Sequence, residues 1–497
     1  MKRGILIFAL LIAFSLCLFA YAKDCECGRL VGDRKYLGRD YIVKNPRATV
    51  PQPSGIPLAK MDSTQQECEV WTEDQRITFF ELVPYHPRIA ASGDTVHVVW
   101  YQWGEVLYKR SIDGGMTWED TALISQFDEI NSKGPDVAVW NQNVYVVWEY
   151  HCSISQDCGI YFRKSSDGGE NWLPIQPLAL AGPDYYECYD PPICAKDSLV
   201  LVAFAKNIDS DGSLRFKKST DSGDTWGTEI VISETPPAGY PPKLVLNGSG
   251  LYIVHEYGLR VYCNVSTDWG DSWSNDIFIS DMESSIAQWP SIEADENSGI
   301  YITWFDYRYS PYAWTGDIFL RRSTNNGETW DSIMVLTDNH LCIESDVCGD
   351  KHSVHVVWHD ERHGGGNIEI YHRRSTDSGF SWEEEDRLTE APYESIDPRV
   401  TIDKGKVYMT WRDERDYPEK PSIYFKKGCW YVPGDVTMDG VVNSADVVYL
   451  INYLFKGGHS PDIPESGDVN GDEQINSADV VYLINYLFKG GPPPVEC

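Results

Sequence analysis

The stretch Val96–Trp118, VHVVWYQWGEVLYKRSIDGGMTW, holds the unit from which most of this 497-residue chain is built. Val96–Trp100 is an apolar run of β-branched and aromatic residues, and Val106–Arg110 is a second such run that ends on two basic residues. Both have strand chemistry, bounded by turn signals. Ser111–Trp118 follows as a tight turn of pattern S-x-D-x-G-x-T/S-W. Its glycine permits positive φ. Its Asp and Ser/Thr side chains can bond backbone donors within the turn, and its Trp is expected to pack back over the sheet.

The unit repeats, and a fixed period decides the architecture before any single residue does. The first run recurs at Val144–Trp148, Val200–Phe204, Leu251–His255, Ile300–Trp304, Val354–Trp358 and Val407–Trp411, seven copies spaced 48 to 56 residues apart. Each has its second run: Ile160–Lys164, Leu214–Lys218, Val261–Val265, Ile318–Arg322, Ile370–Arg374 and Ile423–Lys427. The turn returns at Ser165–Trp172, Ser219–Trp226, Ser266–Trp273, Ser323–Trp330 and Ser375–Trp382, with Asn171 and Asn325 as its two departures.

These turns resemble the Asp-box (BNR) repeats of the sialidase-like β-propellers. The resemblance covers about residues 71–430 and implies four-stranded blades with the box between the third and fourth strands. Seven strand copies then imply an all-β, seven-bladed Asp-box propeller, whereas the true sialidases are six-bladed. The seventh copy lacks its box. However, Trp71–Thr78 (WTEDQRIT) matches Trp382–Thr389 (WEEEDRLT) in register. The segment Arg76–Leu82 is therefore expected to supply the last blade's outer strand and close the ring, which removes open sheet edges. That closure brings Cys68 near Cys429, and a Cys68–Cys429 disulfide is expected across it.

Residues beyond 431 follow another logic. Asn443–Gly458 and Asn476–Gly491 are identical. Each is preceded by alternating oxygen donors. In the first loop Asp435, Thr437, Asp439, Val441 (by its carbonyl), Asn443 and Asp446 fall at positions 1, 3, 5, 7, 9 and 12. In the second the set is Asp468, Asn470, Asp472, Gln474 (by its carbonyl), Asn476 and Asp479. Such sets wrap a hard cation of high coordination number, Ca2+ above all. An apolar stripe at helical spacing follows each loop: Val447, Leu450, Ile451, Leu454 and Phe455, then Val480, Leu483, Ile484, Leu487 and Phe488. The segment resembles a type I dockerin, a small all-α module of paired EF-hand-like loops and helices. The resemblance implies two Ca2+ sites and a cohesin domain as partner, read through loop positions 10 and 11, here Ser444, Ala445, Ser477 and Ala478. Thr437 replaces an acidic or amide ligand, and Glu473 stands where a glycine is usual.

Composition narrows the context. With 42 Lys+Arg against 75 Asp+Glu, the net charge of −33 argues against nucleic acid and anionic membrane as partners. Residues 1–22 read as a cleaved secretory signal: Lys2 and Arg3, an apolar run from Ile5 to Phe19, then Ala20-Tyr21-Ala22. Residues 23–70 read as an irregular extension, 71–430 as the propeller and 431–497 as the dockerin. No other stretch is apolar enough to span a membrane. A secreted, extracellular or cell-surface protein of a bacterium is the expectation. Three cysteine pairs of equal spacing, Cys152/Cys158, Cys188/Cys194 and Cys342/Cys348, are compatible with small disulfide loops.

Ligand sites are expected on the propeller face opposite the boxes. W-x-D-x-R occurs there three times, giving Asp306 with Arg308, Asp360 with Arg362, and Asp413 with Arg415. Arg88 and Arg399 each follow a proline in links between blades. Sialidases clamp a carboxylate with three arginines and use an acid/base Asp and a Tyr–Glu pair. The resemblance therefore offers Asp306, Asp360 and Asp413 as catalytic carboxylates, with Arg88, Arg308, Arg362, Arg399 and Arg415 as substrate ligands. The plain alternative is that each Asp–Arg pair braces its loop. Two functions stay open: a glycoside hydrolase, sialidase-like in kind, and a non-catalytic propeller that binds glycan or protein at a surface.

Overall fold

The computed structural model describes residues 71–495 apart from 80–82, 127–130, 152–157, 181–184, 190, 209–210, 235–240, 249, 282–285, 311–315, 339–340, 351–352, 365, 417–420, 439–440, 462 and 473. The signal segment, the 23–70 extension, Cys68, Asp439 and Glu473 lie outside the described residues.

Residues 71–429 form seven antiparallel sheets. Their inner strands are Pro84–Ser92, Asn131–Trp140, Ile193–Lys196, Lys243–Leu246, Ala287–Ala294, Cys342–Gly349 and Ser395–Asp403. Each touches the next, and the seventh touches the first, so the sheets radiate as blades from a closed ring. The expected apolar runs are the second strands. Trp100, Trp148, Phe204, Trp304, Trp358 and Trp411 are buried between blades. In the third blade the inner strand is split, because Tyr185–Tyr189 and Ile193–Lys196 pair separately with Leu199–Ile208. Pro191 and Pro192 lie in the gap and have no N–H for the ladder.

The ring closes as the matching segments imply. Gln75–Arg76 pairs with Phe425 and Tyr424 as the seventh blade's outer strand. This strand is two residues long, starting one residue earlier than expected, and the outer strands Ala122–Leu123, Ile277–Phe278, Met334–Val335 and Asp386–Arg387 are equally short. Cys429 ends the neighbouring strand and is disulfide-bonded. Two of the small cysteine loops do not form, since Cys194, Cys342 and Cys348 are free thiols. Cys342 and Cys348 lie on one extended strand, where six residues span about 20 Å, too far for a bridge. Cys188 and Cys194 pair with Lys206 and Leu201 of one strand, so they too sit far apart along it.

The eight-residue turns do more than end a hairpin. In each, the Ser Oγ accepts the glycine N–H, as from Gly115 to Ser111 at 2.8 Å, and the Asp Oδ1 accepts the N–H four residues on, as from Thr117 to Asp113 at 2.8 Å. In four of the six the tryptophan stacks edge-on against a third-strand aromatic of the preceding blade: Trp118 on Phe425, Trp172 on Tyr108, Trp226 on Phe162 and Trp273 on Phe216. The seventh blade has no such turn, and Trp71 takes the place by stacking on His372. The paired basic residues are also explained. The first reaches the preceding blade (Lys109 Nζ to Ile77 O, 2.8 Å) and the second reaches the next (Arg110 Nη1 to Gly168 O, 2.7 Å).

The C-terminal segment folds as two 13-residue helices, α1 (Ser444–Lys456) and α2 (Ser477–Lys489). Asn443 and Asn476 cap them in reciprocal capping boxes with Asp446 and Asp479. Val436, Val447, Leu450, Val469, Val480 and Leu483 form the core. Phe455 and Phe488, expected in that stripe, are instead 64% exposed. They lie in the last turn of each helix, just before the left-handed caps Gly457 and Gly490.

Candidate functional site

Two places gather chemistry. The first is the pair of loops ahead of α1 and α2. In the second loop Asp468, Asp472 and Asp479 each offer a carboxylate oxygen within 4.8 Å of the others. Two ligands at Ca2+ distances of about 2.4 Å can stand no further apart than about 5 Å, so these donors fit one cation. Asp479 accepts the Asn476 N–H at 2.8 Å and the Asn470 N–H at 3.3 Å, which fixes its orientation. Burial pushes its pKa up, and the nearby Asp468 and Asp472 add to this. A divalent cation would relieve that repulsion. In the first loop Asp446 takes the same bonds, from Asn443 N–H at 2.8 Å and Thr437 N–H at 3.1 Å. Asp435 and Asp446 are buried there. Among the described residues of the two loops, the fourth is left-handed in each, Met438 (φ 57°) and Gly471 (φ 73°). Ser444, Ala445, Ser477 and Ala478 are exposed, as a partner-reading role needs. Val448 and Phe455 of α1, and Val481 and Phe488 of α2, are exposed too, at helical spacings from those residues that keep them on one face. The hydroxyls of Tyr449 and Tyr482 are bonded to Ser460 O and Pro493 O.

The second place is the propeller mouth, the face opposite the eight-residue turns. Here the three W-x-D-x-R motifs adopt one geometry. Asp306, Asp360 and Asp413 are buried to within 1% of full occlusion. Each accepts the N–H of the arginine two residues on, at 2.9, 2.8 and 2.8 Å. Each also pairs with that arginine's guanidinium, at 2.8, 2.6 and 2.7 Å. The arginines bond a second acid, Asp281, Glu385 and Asp74 respectively. They also lie over third-strand rings, those of Phe319, Tyr371 and Tyr424. With carboxylate and guanidinium occupied on every side, this geometry fits a loop brace.

Arg88 and Arg399 belong to a different set. They occupy one position of the inner strands, shared with Asp136, Pro192, Lys243, Ser291 and Asp346 in the other blades. Two residues earlier, five blades carry a left-handed residue: His86, Gly134, Trp289, Glu344 and Asp397. At each of these five points the ladder register shifts. Such bulges re-aim side chains at a rim, and non-glycine residues held there cost about 1–3 kcal/mol each. Pro241 stands at the corresponding place in the fourth blade and cannot adopt positive φ.

The rim is electrostatically uneven. Arg399 bonds Glu344 and sits 2.7 Å from Asp397. Burial pushes Asp397 upward, but Arg399, with His86 and Arg88, holds its carboxyl well below the usual range. Just after the ring residue that ends each second-strand core run (Trp, Phe204 or His255) lies a further residue on this face, among them Tyr101, Glu256, His359 and Arg412. Glu256 is 1% exposed, with one carboxyl oxygen unbonded, and burial pushes its pKa up to about 8. The exposed rings Tyr85, Trp103, Tyr257 and Tyr309 stand around this centre. Motif reading fixed on the D and R of W-x-D-x-R. The informative positions were the x between W and D and the residue before each proline.

Residues 433–488 match the Dockerin type I domain family. No curated protein matches the chain. Among solved structures, an ulvan lyase of a polysaccharide lyase family aligns with TM-score 0.50 at 9% identity, over 72% of this chain and 94% of its own. An α-L-arabinofuranosidase from Fusarium graminearum aligns at 0.43 and 11%, over 70% and 93%. A sialidase from Streptococcus pneumoniae aligns at 0.41 and 10%, over 69% and 68%. At such identities the likeness speaks for the fold alone. Among the described residues, no helix is long and apolar enough to cross a membrane.

Proposed function

We propose that this chain is a secreted bacterial protein whose propeller engages glycans at its mouth and whose dockerin, loaded with two Ca2+ ions, attaches it to a cohesin domain. The observation that carries the glycan reading is the rim: exposed rings surround a polar centre set by strained bulges, the arrangement sugar recognition needs. Ser444, Ala445, Ser477 and Ala478 are assigned to cohesin contact, extended by Val448, Phe455, Val481 and Phe488. The assigned Ca2+ ligands are the two six-residue sets, and the ring is assigned a Cys68–Cys429 closure.

Asp306, Asp360 and Asp413, with Arg308, Arg362 and Arg415, are assigned to loop bracing in place of catalysis and substrate binding. Arg88 keeps a ligand role. Arg399 is occupied by Glu344 and Asp397 and positions the rim. Binding without turnover is therefore the favoured reading. One observation favours a hydrolytic alternative: Glu256 is buried, half-unbonded and has its pKa raised to about 8, as a general acid requires. A turnover screen of the calcium-loaded protein on polysaccharides and chromogenic glycosides, a sialoside included, separates the two. The binding reading predicts no release. Release that Glu256→Gln abolishes without loss of fold would establish the hydrolase.

A further inference from the structure

We infer that the root of the dockerin takes the place of the missing eight-residue turn of the seventh blade, so that the propeller seats both calcium loops and calcium binding is coupled to that seat. The coupling rests on the calcium reading of the two loops proposed above and is independent of the glycan and cohesin readings.

A turn joins the first and second strands of each blade on the face of the eight-residue turns. In four blades that joining turn is bonded from within the blade. The fourth residue of the eight-residue turn donates its N–H to a carbonyl there: Gly114 to Asp94 at 2.7 Å, Gly168 to Gln142 at 2.7 Å, Ser222 to Ser198 at 2.8 Å and Asn326 to Ser298 at 3.0 Å. The third strand of the seventh blade ends at Cys429, with no eight-residue turn after it. Its joining turn receives the same kind of bond from the residue that leads into the dockerin, because Trp430 N–H donates to Gly405 O at 3.0 Å.

The joining turn is shaped for what covers it. Where the first three blades carry Asp94, Gln142 and Ser198, the seventh carries Gly405. A Cβ there would stand 3.0 Å from the Tyr431 ring and 3.1 Å from the Ile463 side chain. Ile463 is 3% exposed, yet it lies outside the two-helix core and packs on Gly405 instead. Beside it Glu465 pairs with Lys404 at 3.4 Å. Burial raises the pKa of the Tyr431 hydroxyl, and Glu465, Asp94 and Asp468 add to the rise, so this ring reaches from the first blade's joining turn towards the second calcium loop.

The seat continues into both loops. Ile463 O accepts the Ser466 N–H at 3.1 Å and the Ser466 hydroxyl at 2.8 Å, which closes the 3-10 turn Pro464–Gly467. Asp468, the assigned first ligand of the second loop, is next in the chain. Ser466 O accepts the Gly434 N–H at 2.8 Å, and Gly434 directly precedes Asp435, the assigned first ligand of the first loop. The backbone that aims both first ligands is thus tied into one knot, and the knot stands on Gly405. Ordering a loop opposes cation binding. Whatever holds the knot in place therefore favours the calcium-bound state, and linkage makes the effect mutual.

The test uses the full chain as wild type, Gly405→Ala, Ile463→Ala and the double variant. Calcium affinity is read by isothermal titration calorimetry, and circular dichroism at saturating calcium checks that the helices form. Each single variant should weaken calcium binding about fivefold or more, the lower end of ordinary coupling between sites. Gly405→Ala alters no residue of the dockerin, so its effect on calcium passes through the seat. Both changes break one contact, so the double variant should be weaker than the worse single by no more than about twofold. In the reverse direction, calcium should raise the urea midpoint of the propeller's tryptophan fluorescence, and raise it less in Ile463→Ala. Should Gly405→Ala lose the propeller fold, Ile463→Ala and this reverse measurement decide. Helical variants that bind calcium within about twofold of wild type would overturn the seat and leave the calcium reading standing. A wild type that binds no calcium would overturn both.

Discussion

At the scale of single residues, the same side chains do structural work in copy after copy. Asp167, Asp221 and Asp268 show it most simply. Hydrogen bonds from within their turns hold each carboxyl near a pKa of about 2, against an ordinary value of about 3.9. A carboxylate whose pKa is depressed by folding stabilises the fold above its unfolded pKa and loses that contribution as pH falls towards its folded one. Acid should therefore weaken the propeller between about pH 4 and pH 2. Asn325 occupies the same place in the fifth blade and keeps the bond from Thr329 N–H at 2.9 Å. The triple substitution Asp167→Asn, Asp221→Asn, Asp268→Asn should thus fold and should flatten the acid limb of a urea-midpoint profile. The braces make a second prediction. Removing one partner of a buried ion pair leaves the other uncompensated, so Asp413→Ala should cost about 3–5 kcal/mol in urea unfolding. A folded, fully stable Asp413→Ala would contradict the brace.

At the scale of elements, the strands and helices were legible because their periods are. Seven runs of Val, Ile, Tyr and Trp could only be buried second strands, and Trp71–Thr78 announced the missing outer strand by register with Trp382–Thr389. What stayed hidden was where side chains go between elements. A turn tryptophan such as Trp118 packs on Phe425, more than 300 residues away in sequence, and no local pattern encodes that. The bulges at His86, Trp289, Glu344 and Asp397 were equally hidden, because positive φ at such residues is imposed by the ring. The stripe ending in Phe455 failed for a physical reason: its last member passes the end of the two-helix core. The paired helices carry their own prediction. Asp446 and Asp479 are buried carboxylates whose loops gather further acids, so chelating Ca2+ should unfold α1 and α2 and leave the propeller intact. Far-UV circular dichroism should lose its helical signal in EGTA and regain it with Ca2+, while the near-UV tryptophan signal stays unchanged.

At the scale of the whole molecule, the two faces of the propeller have different employment. The turn between Asp403 and Lys406 lies on the side of the eight-residue turns, and the dockerin segment rests there. Ile463 approaches Gly405, and Glu465 pairs with Lys404 at 3.4 Å. The mouth, with its exposed rings, Glu256, Arg88 and Lys243, opens on the other side. On the proposed function, the protein is held at one face and engages its ligand at the other. That reading is tested most directly by a polysaccharide array probed with the calcium-loaded protein and with a Trp103→Ala, Tyr257→Ala double variant. The account predicts capture of the wild type by at least one polysaccharide and loss of that capture by about tenfold or more in the variant. Capture that the variant retains in full, or a wild type that no polysaccharide captures, would contradict it.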